Sequence, residues 1–370
     1  MAPAARPKRI DPARLPRLRA AAQLLHRPGS ARDPVEVARA IGGAQAQDRF
    51  AARLSFRSRS RRLTAADIDR ARTEDRSLLR TWLMRMTIHL IPADDAGWML
   101  PLFEPMIERW SRRRLDQLGM PARMQEKALR AAARALEDGP LTRGELAERL
   151  ARDGIELDQQ TRLHVVGLTT VSGLACQGPD RGASPTLVRR EDWLGKQPRF
   201  DHDAAIAELA RRYLRAFGPA TDRDLAYWSG LGLSEVRAGL EAIAGELTES
   251  RVGEETLLAL RSGPRLPRTG QLRLLGAFDT YLLGYKSRAF AASEEAERMV
   301  KEGGGGWIRP VIVRDGEVIG GWSPARKDDR IEISVDAPAP PGPAERKAIE
   351  AEVADIGRFE ALPATLAETS

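Results

Sequence analysis

Two segments that lie 79 residues apart share one helix-start pattern, and this repeat limits the possible folds more than any other feature. Gly139–Leu146 and Gly218–Leu225 both contain Gly-Pro, a threonine two residues later and an acid three residues after that threonine. Such a threonine caps a helix, and the acid bonds back to the cap amide. In each case a helical segment precedes the pattern, and a second amphipathic helix and two strands follow it, near 174–190 and 246–260. A repeat of this length predicts a three-helix unit with a strand pair, the order of a winged helix-turn-helix.

The N-terminal third of the chain shows the same order of elements. A helix is expected over 13–27, and Asp33 followed by Pro34 predicts the start of a second helix that ends before Gly42-Gly43. An extended piece, Ala44–Gln47, precedes a third helix capped by Asp48 and running to about residue 59. A short helix over 64–72 comes next, and the alternating segment Leu79–Ile91 predicts a half-buried strand or a bent β-ribbon.

The chain is therefore expected to be an α+β protein with three tandem winged helix-turn-helix units and a small C-terminal β-barrel-like domain. The segments 272–285 and 307–322 are predicted to be rich in strands, with Asp315-Gly316 as the turn of a hairpin that a flexible Gly303–Gly306 precedes. The predicted boundaries are 1–12 for a disordered basic tail, 13–118, 119–201 and 202–262 for the winged-helix units, 263–357 for the β domain with its closing helix at 344–357, and 358–370 for a frayed tail.

Positive charge is concentrated at one end of the chain. Residues 1–62 contain 15 Lys and Arg against 4 Asp and Glu, although the net charge of the whole chain is only +7. A GC-rich genome would explain why arginine outnumbers lysine, but it does not explain the scarcity of acids in this segment. Phosphate backbones are the commonest partners of such a field, which predicts binding to double-stranded DNA.

Several classes of protein and site are excluded. Cys176 is the single cysteine, so there is no intrachain disulfide framework, and a reducing, cytoplasmic, nucleoid-associated location is expected. No apolar run is long enough to span a membrane, and no secretory signal is expected at the basic N-terminus. The histidines His26, His89, His164 and His202 lack metal-ligand spacing, so we expect neither a metal nor a cofactor.

Two glutamines stand at the start of the predicted third helix. In an extended backbone, Gln45 and Gln47 would project to the same side, at the helix of a helix-turn-helix that approaches the DNA groove. Two carboxamides at this position could hydrogen-bond DNA or hold a water molecule. The alternative is an ordinary polar turn, because this tripeptide pattern is common.

Basic side chains near these glutamines are the candidate DNA contacts. Arg49, Arg53 and Arg57 are spaced four apart on one predicted helix face, and Arg59 extends the cluster. The alternative is a solvated helix face. Arg85 and His89 lie on the polar side of the alternating segment and could line the same cleft, or could belong to a half-exposed sheet face in which His89 finds a local partner.

Four segments in this order resemble the winged-helix DNA glycosylases of the AlkZ and YcaQ (AlkX) type. They are Gly42–Asp48, Leu79–Leu90, Ala277–Gly284, and Trp307–Pro310 with the following Asp315-Gly316 hairpin. The resemblance covers roughly residues 15–345. It implies a C-shaped molecule around a basic channel, with a catalytic glutamine–apolar–glutamine motif that corresponds here to Gln45 and Gln47.

The resemblance also implies an activity. Members of the family excise N7-alkylated purines, and some unhook interstrand crosslinks, so we expect a monofunctional, metal-independent DNA glycosylase that acts as a monomer on alkylated duplex DNA without an obligate protein partner. We further expect Arg309 and Arg314 of the C-terminal hairpin to reach into the minor groove. The alternative is a winged-helix DNA-binding regulator without enzymatic activity, and a third reading is a tandem winged-helix protein that binds a protein partner.

Overall fold

A computed structural model of the chain describes residues 8–26, 31–182, 184–198, 200–301, 306–338 and 340–367. Within these residues the α-helices are, in chain order, α1 (Leu15–Ala22), α2 (Pro34–Ala40), α3 (Arg49–Arg57), α4 (Ala65–Thr73), α5 (Ala96–Gln117), α6 (Ala122–Ala135), α7 (Arg143–Arg152), α8 (Gln159–Val171), α9 (Arg190–Leu194), α10 (His202–Phe217), α11 (Asp222–Ser229), α12 (Leu233–Ala242), α13 (Thr280–Leu283), α14 (Glu294–Val300) and α15 (Pro343–Glu360).

The strands of the same residues are β1 (Lys8–Arg9), β2 (Ala44–Gln45), β3 (Leu78–Leu83), β4 (Thr87–Pro92), β5 (Leu141–Thr142), β6 (Ala175–Arg181), β7 (Ser184–Arg189), β8 (Leu247–Val252), β9 (Glu255–Leu260), β10 (Leu272–Leu275), β11 (Val311–Arg314), β12 (Glu317–Arg326), β13 (Ile331–Asp336) and β14 (Ala364–Leu366). Helices and antiparallel strand pairs alternate along the chain, which gives the α+β class that the sequence predicts.

The chain divides into two compact units. Unit 1 comprises residues 1–68 and 206–370, and unit 2 comprises residues 69–205. No helix in the described part of the chain has the length and apolar character that crossing a bilayer requires.

Unit 2 contains one copy of the repeated pattern. Thr142 caps α7 by accepting a hydrogen bond from the Glu145 amide at 3.3 Å, and the Glu145 carboxylate accepts one from the Thr142 amide at 2.8 Å. This reciprocal capping box is the one that the sequence predicts. The helices α6, α7 and α8 are followed by the antiparallel pair β6–β7, whose outer neighbour is β5.

Unit 1 contains the second copy. Thr221 and Asp224 form the same capping box at the start of α11, and the antiparallel pair β8–β9 follows α12. The predicted disordered tail is partly wrong, because β1 pairs in parallel with β8 and the Ile10 amide donates to Arg251 O at 2.9 Å. The edge of β8 supplies backbone partners, such as the Arg251 carbonyl, that the local sequence of the tail does not reveal. Residues 1–7 lie outside the described residues.

The C-terminal part of unit 1 is a five-stranded half-barrel sheet, so the predicted β-barrel-like domain is confirmed in part. Its strand order is β10-β11-β12-β13-β14, with β13 and β14 parallel and the other neighbours antiparallel. Asp315 and Gly316 turn the β11–β12 hairpin with φ values of 52° and 93°, which confirms the predicted two-residue turn. The buried core on this sheet includes Trp322, Ile333 and Ile356.

Two details of this region differ from the sequence-based expectation. The segment 272–285 leaves the sheet after β10 and forms α13, because Asp279 caps that helix by accepting from the Tyr281 amide at 3.0 Å. The predicted frayed end at 358–370 instead completes α15 and adds β14 to the sheet. Residues 303–305, which were expected to form a flexible approach to the hairpin, and residues 368–370 lie outside the described residues.

Candidate functional site

The glutamine motif follows a turn that only glycine adopts easily. Gly42 and Gly43 have φ values of 74° and 91°, the left-handed region, and they end α2 as the sequence predicts. A Cβ on Gly42 would come within 3.1 Å of the Trp228 ring, so the turn is packed as well as conformationally restricted. This turn leads into β2, whose second residue is Gln45.

Gln45 is a buried polar side chain with an unused acceptor. The residue is 7% exposed, and its Oε1 has no hydrogen-bond partner among the described residues. A buried carboxamide oxygen without a donor is destabilising, which is why such groups usually bind a water molecule or a ligand. Gln45 therefore has the environment of a side chain that completes its hydrogen bonding with something other than the described protein groups.

Gln47 lies in a different environment. Strand β2 ends at Gln45, and Gln47 is an exposed residue in the bend before α3. Asp48 caps α3, accepting from the Ala51 amide at 2.7 Å, which confirms the predicted cap. The sequence suggested two equivalent carboxamides, whereas the structure has a buried one followed by an exposed one. The chain bends at Gln47 and Asp48, where Asp48 caps α3, and this bend explains why Gln47 is exposed although Gln45 is buried.

The predicted arginine face on α3 is wrong for Arg57 and Arg59. Arg57 is 1% exposed and donates to the Glu352 carboxylate at 2.9 Å and to Leu274 O at 2.5 Å. Arg59 is 0% exposed and its guanidinium forms a bidentate pair with the Asp279 carboxylate. Both cations are enclosed by acids from distant parts of unit 1, so neither is available to a DNA phosphate.

Arg49 and Arg53 remain nearer to the surface. Arg49, in the first turn of α3, is exposed. Arg53 is half-buried, and its Nη2 lies 3.3 Å from the Glu360 carboxylate of α15. Of the four arginines that were expected to form one DNA-binding face, only Arg49 is exposed.

Arg85 and His89 belong to the β3–β4 hairpin of unit 2. The predicted bent ribbon is present, with Trp82 paired to Ile88 and Thr81 paired to His89. The chain reverses at Arg85 and Met86, which have φ values of 52° and 58°. Two successive left-handed residues form a type I′ turn, which normally uses Asn and Gly. Arg85 is half-buried at the tip of this unusual turn.

His89 is a buried, neutral imidazole. Burial lowers its pKa from 6.5 to about 4, and this outweighs the opposing effect of its hydrogen bond to the Thr87 carbonyl. Nδ1 donates that bond at 3.2 Å, because a carbonyl oxygen can only accept. The structure thus supports the alternative in which His89 finds a local partner, and His89 cannot act as a cation for phosphate near neutral pH.

Arg309 and Arg314 flank the C-terminal hairpin. Arg314 is exposed and forms an ion pair with Glu345. Arg309 Nη1 lies 3.6 Å from the Asp336 carboxylate. The pair of Arg314 with Glu345 is partly exposed, and ion pairs of this kind contribute little free energy, so Arg314 can exchange its carboxylate for another anion at small cost.

Unit 1 contains a buried polar network that was not predicted from the sequence. The Thr280 hydroxyl donates to Gln23 Oε1 at 2.8 Å, and the Gln23 amide donates to Ala216 O at 2.8 Å. Arg59 and Asp279 complete this network. The polar pair Asp279-Thr280 within an otherwise apolar segment was the visible signal. In the described part of the chain, no cluster of three or more His, Cys, Asp or Glu side chains could hold a metal ion.

Comparisons with known proteins agree on one family. The family model described as DNA glycosylase AlkZ-like matches residues 38–359. An interstrand DNA cross-link repair glycosylase of Streptomyces sahachiroi is 32% identical over 302 residues, which cover 76% of this chain and 79% of the relative. The solved structure of the Streptomyces sahachiroi DNA glycosylase AlkZ is 28% identical and has a TM-score of 0.77, covering 97% of this chain and 100% of that chain.

Proposed function

We propose that this chain, which belongs to the AlkZ-like family of DNA glycosylases, hydrolyses the N-glycosidic bond of N7-alkylated purines in duplex DNA. The observation that carries the proposal is that Gln45 Oε1, a buried acceptor, has no hydrogen-bond partner in the part of the chain that the structure describes. Gln45 lies two residues before the exposed Gln47, which precedes α3. A buried acceptor at a motif that joins a turn to a helix is suited to holding one water molecule.

The two carboxamides would have different roles in the reaction because Gln45 is buried and Gln47 is exposed. Gln45 Oε1 accepts a hydrogen bond from the attacking water and fixes its orientation, which removes much of the entropic barrier. Gln47, which is exposed, faces the DNA, and its carbonyl dipole lies towards the positive charge that develops on the deoxyribose. Neither glutamine removes a proton strongly, so the chemistry relies on position rather than on general base strength.

This division predicts the class of substrate. An N7-alkylated purine already carries a positive charge and leaves without strong protonation, so a neutral catalytic pair is sufficient to excise it. The same pair should have little excision activity on ordinary, uncharged bases. The same reasoning extends to interstrand crosslinks formed through purine N7, and the Streptomyces sahachiroi relative is named for the repair of interstrand DNA cross-links.

The enzyme would be monofunctional, without a lysine nucleophile. Lys286, in the segment that follows α13, is exposed and therefore lacks the desolvated environment that activates a lysine for Schiff-base formation. A water molecule is then the nucleophile, and the product is an abasic site with an intact DNA backbone. No metal ion or cofactor takes part in this scheme.

The scaffold would consist of three winged-helix units that act as a monomer inside the cell. The two capping-box repeats, each with three helices and an antiparallel strand pair, support two of these units. Arg49, Arg85, Arg309 and Arg314 are the remaining candidate contacts to the DNA backbone. Three DNA-binding units on one chain remove the geometric need for a dimer.

A base-excision assay tests the function. The protein is incubated with a duplex that carries one N7-methylguanine, and with a duplex crosslinked through two N7 positions, and abasic sites are revealed by alkali. We expect cleavage with the wild-type protein, and its loss with Gln45→Ala and with Gln47→Ala. Gln117→Ala, which changes an exposed glutamine of α5, serves as the control and should retain activity. Tight DNA binding with no abasic sites on either substrate would contradict the proposal and indicate a DNA-binding protein without chemistry.

A further inference from the structure

Phe278 adopts a backbone conformation that bulky residues avoid. Its φ of 56° lies in the left-handed region, where an aromatic side chain is a true outlier. The conformation is enforced from both sides. A Cβ on Gly276 would lie within 3.1 Å of the Ala51 carbonyl of α3, so no side chain fits there, and Asp279 is fixed by Arg59. Strained residues that the surroundings hold in place are concentrated at functional sites.

The strain presents the Phe278 ring to Trp307. The two ring centroids are 4.8 Å apart at an interplanar angle of 78°, an edge-to-face contact. The Phe278 amide donates to Ile308 O at 3.3 Å, and Ile308 is buried, so Trp307 is anchored through its neighbour. Trp307 itself is 44% exposed. If Trp307 served only the hydrophobic core, its ring would be covered by other side chains. If position 278 served only to form the turn, a glycine there would do so without backbone strain.

The aromatic pair is attached to the same helix as the glutamine motif. A Cβ on Gly276 would lie 3.1 Å from the Ala51 carbonyl and 3.2 Å from the Leu54 Cβ, so Gly276 packs closely on α3, which begins two residues after Gln47. Phe278 follows Gly276 by two residues. Phe278 therefore belongs to a segment that packs on the helix preceded by the candidate catalytic residues, and Trp307 is joined to that segment by the ring contact.

We propose that Phe278 and Trp307 form a stacking platform for a nucleobase that has lost its normal stacking partner next to the lesion. This inference rests on the proposed function. Any nucleobase offers a face for stacking on an aromatic ring, so the contact tolerates every sequence. A bulky or crosslinked purine cannot rotate into an enclosed pocket, and an open platform can stabilise the distorted duplex without full extrusion of that purine.

The platform is tested by DNA binding, without base excision. The probes are two short duplexes of matched sequence without alkylated bases, one fully paired and one with a single-nucleotide bulge. We expect the wild-type protein to prefer the bulged duplex by about tenfold, the lower part of the range for one base–aromatic stack. Trp307→Leu abolishes the preference and Trp307→Phe retains most of it. Trp110→Leu, which changes a tryptophan of equal exposure in unit 2, leaves it unchanged.

A second variant separates binding from folding. Phe278→Gly relieves the left-handed strain but also removes a ring that packs on the hydrophobic core, so the two effects on its melting temperature oppose each other. In the folded variant the preference for the bulged duplex should fall at least about fivefold. A lower melting temperature with an unchanged preference would show that Phe278 acts only in packing and would overturn the inference, as would a Trp307→Leu protein with wild-type preference. A wild-type protein that prefers the bulge but excises no base would refute the proposed function and support the platform.

Discussion

Arg59 and Asp279 form a fully buried, bidentate ion pair in which two guanidinium nitrogens lie 2.8 Å from the two carboxylate oxygens. The residues are 220 positions apart, and the pair joins the segment just after α3 to the N-cap residue of α13. Gln23 O and Ser55 O accept further hydrogen bonds from Arg59 at 3.0 and 2.9 Å, so the guanidinium is almost fully satisfied. The helix that follows the glutamine motif is thereby fixed to the C-terminal part of unit 1.

Removing Asp279 should destabilise the protein strongly. Asp279→Ala leaves the Arg59 charge buried without its partner, a change that costs about 3–5 kcal/mol of unfolding free energy. Urea unfolding measures the loss. The control is Arg346→Ala, which breaks an exposed pair with Glu350 and should change stability by less than about 0.5 kcal/mol. Equal effects of the two variants would show that the buried pair has no special role.

The burial of Arg57 separates it from Arg49 in DNA binding. The logarithm of the affinity for DNA falls as the logarithm of the salt concentration rises, and Arg49→Ala should make this slope less steep by about 1 because one phosphate contact is lost. Arg57→Met should leave that slope unchanged while lowering stability, since Arg57 is paired with Glu352. Fluorescence anisotropy across a salt titration measures both slopes. A reduced slope for Arg57→Met in a folded protein would restore Arg57 as a phosphate contact.

His89 should make stability depend on pH between 4 and 6.5. Its folded pKa of about 4 lies below the ordinary 6.5, so in this window the unfolded chain binds a proton that the folded protein does not. Stability therefore rises with pH through this window, and on the order of 3 kcal/mol from His89 is lost when the pH falls to 4.

Unfolding measured from pH 4 to pH 7 checks this dependence. Buried His26, whose pKa is also lowered to about 4 by desolvation, adds a dependence of the same sign. His89→Gln should flatten the profile, whereas His202→Gln, at an exposed position, should not. If the unfolding free energy of His89→Gln depends on pH as steeply as that of the wild type, His89 is not a buried, neutral imidazole in the folded protein.

Two substitutions in the turn between β3 and β4 should affect stability and DNA binding differently. Met86→Gly removes one left-handed non-glycine residue and should raise stability by about 1 kcal/mol. Arg85→Asn suits the same turn type and should be neutral or stabilising, but it removes a cation and should weaken DNA binding. Thermal unfolding and anisotropy measure the two effects. Loss of stability in Met86→Gly would show that the turn is not strained.

Local signals in the sequence predicted the helix starts and the turns. Asp33, Asp48 and Thr142 are helix caps in the structure, and Asp315-Gly316 turns a hairpin, because each depends only on residues within a few positions. The strand β1 was missed for the opposite reason. Its hydrogen-bond partner, β8, lies about 240 residues away in sequence.

The candidate site shows the same limit. The Gly-Gly turn and the glutamine motif are visible in the sequence, but the different burial of Gln45 and Gln47 depends on the bend that precedes α3. Arg57 and Arg59 occupy a helix face with no nearby acids, which in the sequence is indistinguishable from a phosphate-binding face. Their acids, Glu352 and Asp279, come from elements that pack on α3 only in the folded protein.

Kinetics of the Gln45→Ala variant decide whether Gln45 is catalytic: its single-turnover rate of base excision is compared with its affinity for the same duplex. We predict that the rate at which Gln45→Ala excises N7-methylguanine falls at least about 100-fold, a loss typical of a group that stabilises the transition state. The Kd of the variant for the duplex should change less than about twofold because Gln45 is buried. Excision at the wild-type rate by a folded Gln45→Ala protein would contradict the account, since the unpartnered Oε1 of Gln45 would then have no part in the chemistry.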